Sequence, residues 1–218
     1  MILGSHLILS TYAFWLPNDP RGSWSDFVGA WELLRFGGPT KVDTRRSVAA
    51  RPHDVIRRLA AKEALKYPPV HLTGIQARAV GRGFAALVSK SNLTAWACSI
   101  LPDHMHLVLA RHRYTVEQVA NLLKGQATRQ LEAEGLHPFA HLSRVRGRLP
   151  KAFARGQWAV FLDSEEDIRR AVRYVEDNPA REGYPPQRWW FVTPFAGLNA
   201  PLRVAAERTE ERSPAGRG

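Results

Sequence analysis

Leu101-Pro102-Asp103-His104-Met105-His106-Leu107-Val108-Leu109 sets two imidazoles two residues apart inside an apolar run. Such a run, entered through a Leu-Pro-Asp corner, reads as a β-strand. Residues i and i+2 of a strand project from the same face, so His104 and His106 point together while Met105 and Leu107 point the other way. Two neutral imidazoles side by side suit a divalent metal. They equally suit a polar, half-exposed strand face, and the pair alone does not choose between the two.

Working outward, Leu93 to Ile100 reads as the preceding strand, and His104 to Arg111 as the strand of the histidines. Upstream, Thr73 with Gln76 has the spacing of a capping box, and Ile75, Val80, Phe84, Leu87 and Val88 give the helix that follows an apolar side. Thr115 with Gln118 repeats the device and opens a helix to about Glu134, with Val116, Val119, Leu123, Ala127 and Leu131 facing inward. Met1 to Phe14 alternates as a first strand and Gln157 to Leu162 as a last one. Ser164 then caps a helix expected to end at Asn178, stopped by Pro179 and Gly183. The order strand, helix, strand, strand, helix, strand, helix predicts an α+β fold, a ferredoxin-like sandwich with an antiparallel sheet and an added C-terminal helix.

Residues 1–195 are expected to form one domain, interrupted after its first strand by a long insertion at 17–69. That insertion is rich in turn-formers and carries Arg45, Arg46, Arg51, Arg57, Arg58 and the aromatics Trp24 and Trp31. A short helix is expected within it from about His53 to Lys66. Residues 196–218 are short, polar and of mixed charge, and read as a mobile tail.

The 31 Lys and Arg against 20 Asp and Glu leave a formal charge of +11, which favours a polyanionic partner. No stretch resembles an amphipathic interfacial helix or approaches the roughly 18 apolar residues of a membrane span, so nucleic acid is preferred to a lipid surface. A single cysteine, Cys98, rules out an internal disulfide and sits in an apolar strand as inert core. With no secretory signal pattern at the N-terminus, a cytoplasmic protein is expected, either monomer or homodimer.

The second constellation is Arg173-Tyr174-Val175-Glu176-Asp177-Asn178-Pro179. Ile168, Ala171, Val172 and Val175 form the apolar stripe of the last helix. At 100° per residue, Tyr174 and Asn178 lie about 40° apart beside that stripe, so a phenol and a carboxamide emerge together near the helix's C-terminal end. This suits a tyrosine nucleophile with a metal-ligand amide one turn away. It also suits a half-buried packing tyrosine followed by an Asn helix cap before proline.

Together, Leu-Pro-Asp-His-Met-His-Leu-Val-Leu, then Leu123-Lys124-Gly125, then Tyr174-Val175-Glu176-Asp177-Asn178-Pro179-Ala180-Arg181-Glu182-Gly183 resemble the HUH-class single-tyrosine transposases. The REP-associated tyrosine transposases are the branch most resembled. The resemblance covers roughly residues 1–16 and 70–192. It implies a ferredoxin-like fold, a Mg²⁺ or Mn²⁺ cofactor, and His104 and His106 as ligands. It further implies Tyr174 as nucleophile and, with a departure in residue type, Asn178 as third ligand. The implied activity is cleavage and rejoining of single-stranded, hairpin-bearing DNA through a 5′-phosphotyrosine. In rolling-circle relaxases of this class the tyrosine usually precedes the histidines, whereas here it follows them.

The alternative is a basic nucleic-acid binder without catalysis, which explains the charge but leaves the pairing of the histidines with Tyr174 and Asn178 without a role. A zinc hydrolase with an H-x-H-x-D-H motif is excluded, because Val108 and Leu109 occupy the Asp and His positions. A two-histidine phosphoesterase lacks its second H-x-S/T motif. For DNA contact the expected residues are Arg144, Arg146, Arg148 and Lys151, in a stretch from Gly135 to Leu162 without an acidic side chain, and Lys124 beside Gly125. Gly125 is equally explained by close helix packing, and the pair Trp189 and Trp190 either stacks on bases or belongs to the core.

Overall fold

The structure, a computed structural model, describes residues 1–14, 16, 31–38 and 54–198. Trp24, Arg45, Arg46 and Arg51, the Trp31 side chain and the tail from residue 199 lie outside the described residues. The elements are β1 (Gly4–Ser10), a short 3-10 helix (Trp31–Phe36), α1 (Val55–Glu63), α2 (Gly74–Ser91), β2 (Ala95–Ile100), β3 (His104–Ala110), α3 (Val116–Ala133), β4 (Trp158–Leu162) and α4 (Glu165–Arg181). The strands form one antiparallel sheet in the order β2-β3-β1-β4, the ferredoxin-like arrangement expected from the element order.

Each face of the sheet carries its own helix layer. Leu7, Leu9, Met105, Leu107 and Leu109 pack with Val80, Phe84 and Leu87 of α2 and with Val119, Leu123, Ala127 and Leu131 of α3. On the opposite face, Trp96, Ala97, Val108 and Leu162 pack with Ile168, Ala171 and Val175 of α4. Burying each of these larger side chains stabilises the fold by about 1.5–3 kcal/mol. α2 and α3 touch backbone to backbone, since a Cβ on Gly83 would lie 2.8–2.9 Å from Ala127 and Gln126 main-chain atoms.

Both capping boxes are present, Thr73 with Gln76 and Thr115 with Gln118, and Ser164 accepts from the Asp167 N–H at the start of α4. Ile75, expected on the inner side of α2, is exposed. β1 stops at Ser10, short of Phe14, because the next backbone groups turn away. The Thr11 N–H donates to Asp103 O, the Tyr12 N–H donates to Ala152 O, and Ala13 takes a left-handed φ of 68°. α1 is shorter than the expected His53 to Lys66 and is capped by Asp54.

The last helix runs through Pro179 to Arg181, past its expected end at Asn178. Pro179 has no N–H to return to the Val175 carbonyl, yet the helix continues for two residues beyond it. The last-turn carbonyls of Asn178 and Pro179 accept from the N–H groups of Glu182 and Tyr184, and Gly183, at φ 78°, makes the stop.

Candidate active site

Strand register places the first components. On the face toward α4, His104 stands opposite Ser10 and His106 stands opposite Ile8 on one side and Ser99 on the other. The two imidazoles lie 4.9 Å apart between centroids and nearly perpendicular, confirming that they share a face. His106 is buried and His104 partly so.

Each ring is tied back through the same nitrogen. His104 Nδ1 is 2.7 Å from Asp103 Oδ1, and His106 Nδ1 is 2.9 Å from Nε2 of His6. His106 Nε2, the nitrogen left over, is buried with no hydrogen-bond partner. His6 was not singled out in the sequence, where an isolated histidine in an apolar strand carries no spacing signal. Its parity with Ile8 and Ser10 was the available clue, but the contact depends on the β1–β3 register.

α4 brings the remaining groups. Val175 is fully buried against the sheet, which fixes the rotation of the helix. Tyr174 then falls at the rim, two-fifths exposed, its ring centroid 5.5 Å from that of His106 and 5.7 Å from that of His6. The Arg181 guanidinium lies 5.4 Å from the Tyr174 ring centroid on the same helix. Asn178, one turn on, is buried inside the helix rather than capping it; the cap is Glu182. The cap reading of Asn178 is therefore replaced by that of an interior carboxamide whose Nδ2 has no partner.

Among the described residues, four buried side-chain polar atoms lack a hydrogen bond: Ser10 Oγ, Ser99 Oγ, His106 Nε2 and Asn178 Nδ2. The two serines flank the histidines in register, and Asn178 belongs to the helix that covers this face. Each such atom costs about 1–3 kcal/mol, so their concentration at one place marks a site built to be completed by something polar.

The electrostatics agree. Burial pushes His6 down to about 4. Burial, with the neighbouring His6 and His104, holds His106 well below the ordinary imidazole range. Both are neutral at pH 7, the form in which an imidazole ligates metal. Burial raises the Tyr174 phenol above its usual value, Arg181 acting against the shift and Glu182 with it. A phenol so shifted stays protonated at neutral pH.

Among the described residues no three His, Cys, Asp or Glu side chains converge as ligands. His6 spends its near nitrogen on His106, and among the described residues Asn178, a buried carboxamide on the helix that covers this face, could serve as a third ligand. The donor set of two imidazoles and an amide fits a divalent metal of the magnesium or manganese type.

The expected DNA-contact residues divide. Arg146 and Arg148 are exposed on a tight hairpin, Val145 to Arg148, whose consecutive φ values of 50° at Arg146 and 75° at Gly147 are those of a type I′ turn. Arg144 spends its guanidinium on Glu132 and on the Gly147 carbonyl, and Lys151 is exposed. Lys124 is buried, its ammonium donating to the carbonyls of Ala154, Arg155 and Gly156 at 3.2, 2.9 and 3.2 Å. With all three protons committed it has none left for a phosphate. What it holds is the 154–156 segment, whose Ala154 N–H donates to Ser10 O at the histidine end of the sheet. Close packing does not explain Gly125, since a Cβ there would meet only the Arg129 guanidinium at 3.8–3.9 Å. The tryptophan pair splits: Trp189 fills the space that a Cβ on Gly81 would need, while Trp190 is exposed.

No family model and no curated protein matches the sequence. Among solved structures, the chain is similar to a REP-associated tyrosine transposase bound to a REP hairpin, with 13% identity, a TM-score of 0.44, and coverage of 85% of this chain and 72% of that one. It is also similar to a transposase candidate from Deinococcus radiodurans, with 15% identity, a TM-score of 0.36, and coverage of 81% and 91%.

Proposed function

We propose that the protein is a DNA strand-cleaving and strand-joining enzyme of the single-tyrosine transposase type, acting on single-stranded DNA that carries a hairpin. The observation that carries this reading is the pairing of a buried, unpartnered His106 Nε2 with the Tyr174 ring 5.5 Å away. The sequence resemblance supplies the substrate class. His104, His106 and Asn178 would hold Mg²⁺ or Mn²⁺, which when bound supplies positive charge to the scissile phosphate.

The protein's own groups account for the rest. Tyr174 Oη forms a bond to phosphorus as the bond to the 3′ oxygen breaks. The phenol gives up its proton and the departing 3′ oxygen takes one up, so the products are a 5′-phosphotyrosine and a free 3′-OH. Because a phosphoester replaces a phosphoester, a later 3′-OH can reverse the step without ATP. Arg181, beside the Tyr174 ring, favours the phenolate as it forms. The exposed Arg146, Arg148 and Lys151 carry charge suited to the DNA backbone.

The test is incubation of an end-labelled hairpin oligonucleotide with the full chain and Mn²⁺, followed by a denaturing gel. A covalent adduct is expected with wild type and none with Tyr174→Phe, which still binds the DNA. An adduct that survives Tyr174→Phe, or a wild type that binds DNA without ever forming one, refutes the proposal; the second outcome leaves a non-catalytic binder.

A further inference from the structure

We propose that His6 is a positioning residue: by accepting the Nδ1 proton of His106 it fixes the tautomer that leaves His106 Nε2 a bare lone pair. The inference rests on the reading of His106 as a metal ligand, and it concerns a residue that neither the sequence motifs nor the ligand set includes.

The geometry is direct. His6 sits on β1 opposite Val108, two residues along from the Ile8–His106 pair and on the same face, so its side chain reaches His106 diagonally across the central strand pair. The Nε2–Nδ1 distance is 2.9 Å, and the rings lie 5.1 Å apart at 36°. Both residues are buried. A hydrogen bond between two neutral imidazoles needs one N–H and one lone pair, which allows two arrangements. In one, His106 carries its proton on Nδ1 and donates to His6. In the other, His6 donates and His106 carries its proton on Nε2.

The second arrangement would bury an N–H on an atom with no acceptor around it. That cost decides for the first. His6 then carries its own proton on Nδ1 and presents Nε2 as an acceptor. His104 is treated in parallel, its Nδ1 held by the Asp103 carboxylate, and the two rings share a face with centroids 4.9 Å apart. A ligand histidine whose far N–H is engaged by an acceptor is fixed in orientation and made more basic. The neighbouring Tyr174 ring, 5.7 Å from His6, closes the side of the same cluster.

The test uses the full chain with ¹⁵N-labelled histidine, plus two variants. His6→Gln retains an acceptor at comparable reach, and His6→Leu offers none. In the metal-free wild type, ¹⁵N spectra should show His106 protonated at Nδ1; in His6→Leu that preference should be lost. Mn²⁺ titration followed by the signal of the free ion should show His6→Leu weakened by about 10–100-fold, with His6→Gln recovering most of the affinity. The inference is overturned if wild-type His106 carries its proton on Nε2, if His6→Leu binds Mn²⁺ like wild type, or if His6→Gln is as weak as His6→Leu. A wild type that binds no Mn²⁺ defeats the metal reading instead, and the tautomer in the metal-free protein then decides the role of His6 by itself.

Discussion

Replacing Lys124 with methionine tests how the basic segment near the site is held. The wild-type ammonium makes three charge-assisted hydrogen bonds to the carbonyls of residues 154–156. Each is worth about 1.5–3 kcal/mol. Against them stands the cost of burying the charge: burial, helped by the nearby Lys151 charge, pushes the amine down to about 8 from 10.5. A drop of that size corresponds to about 3 kcal/mol. The difference leaves Lys124→Met less stable than wild type by about 3 kcal/mol at pH 7. Urea unfolding read by tryptophan fluorescence measures it.

The pH dependence of the same pair of proteins isolates the ionisation. Between about pH 8 and 10.5 the unfolded wild type binds more protons at Lys124 than the folded form, so its stability rises with pH there. Groups common to both proteins cancel in the comparison. The gap between wild type and Lys124→Met should therefore widen by about 1 kcal/mol from pH 7 to pH 9. A variant as stable as wild type at pH 7, or a gap that narrows on going to pH 9, refutes the account.

Two further outcomes follow from the contacts at the helices. Asn178→Leu removes a buried amide nitrogen that has no partner, so it should raise stability by about 1 kcal/mol in urea melts while abolishing the covalent adduct; a loss of stability with adduct formation intact would show the amide to be structural. Gly83→Ala must push a Cβ against Ala127 main-chain atoms at 2.8–2.9 Å and should cost about 1–3 kcal/mol, whereas Gly125→Ala meets nothing close and should gain about 0.5–1 kcal/mol. Thermal melts of the two variants moving in the same direction would contradict that difference in packing.

What the sequence made legible was whatever depends on local period and local caps. The alternation around His104 and His106, the two Thr/Gln capping boxes and the Ser164 cap are satisfied within a few residues, and each formed where expected. Tyr174 and Asn178 were readable because one helix holds both. Contacts set by register or by long-range packing were not legible. His6 meets His106 across a sequence separation of 100, through a strand pairing that no local pattern specifies. The destination of Lys124 was hidden for the same reason, since its acceptors lie 30–32 residues away in a segment without periodicity. Pro179 misled because the helix runs two residues past it before Gly183 makes the stop, the last-turn carbonyls of Asn178 and Pro179 being taken up by the Glu182 and Tyr184 N–H groups.

Among the described helices, α4 is the one that packs on the histidine face of the sheet. α2 and α3 cover the other face with apolar side chains of the opposite strand parity. On the α4 face the apolar contacts stop at Val108 and Val175, and beyond them the same strands carry His104, His106, Ser10 and Ser99. One helix therefore does two jobs along its length. Ile168, Ala171 and Val175 anchor it to the sheet, and Tyr174, on the flank of that stripe, stands at the rim with its ring centroid 5.5 Å from that of His106. Because Tyr174 directly precedes Val175, the rotation that buries the valine also sets the direction of the phenol. The phenol proposed as nucleophile is thus positioned by the hydrophobic packing of its neighbour.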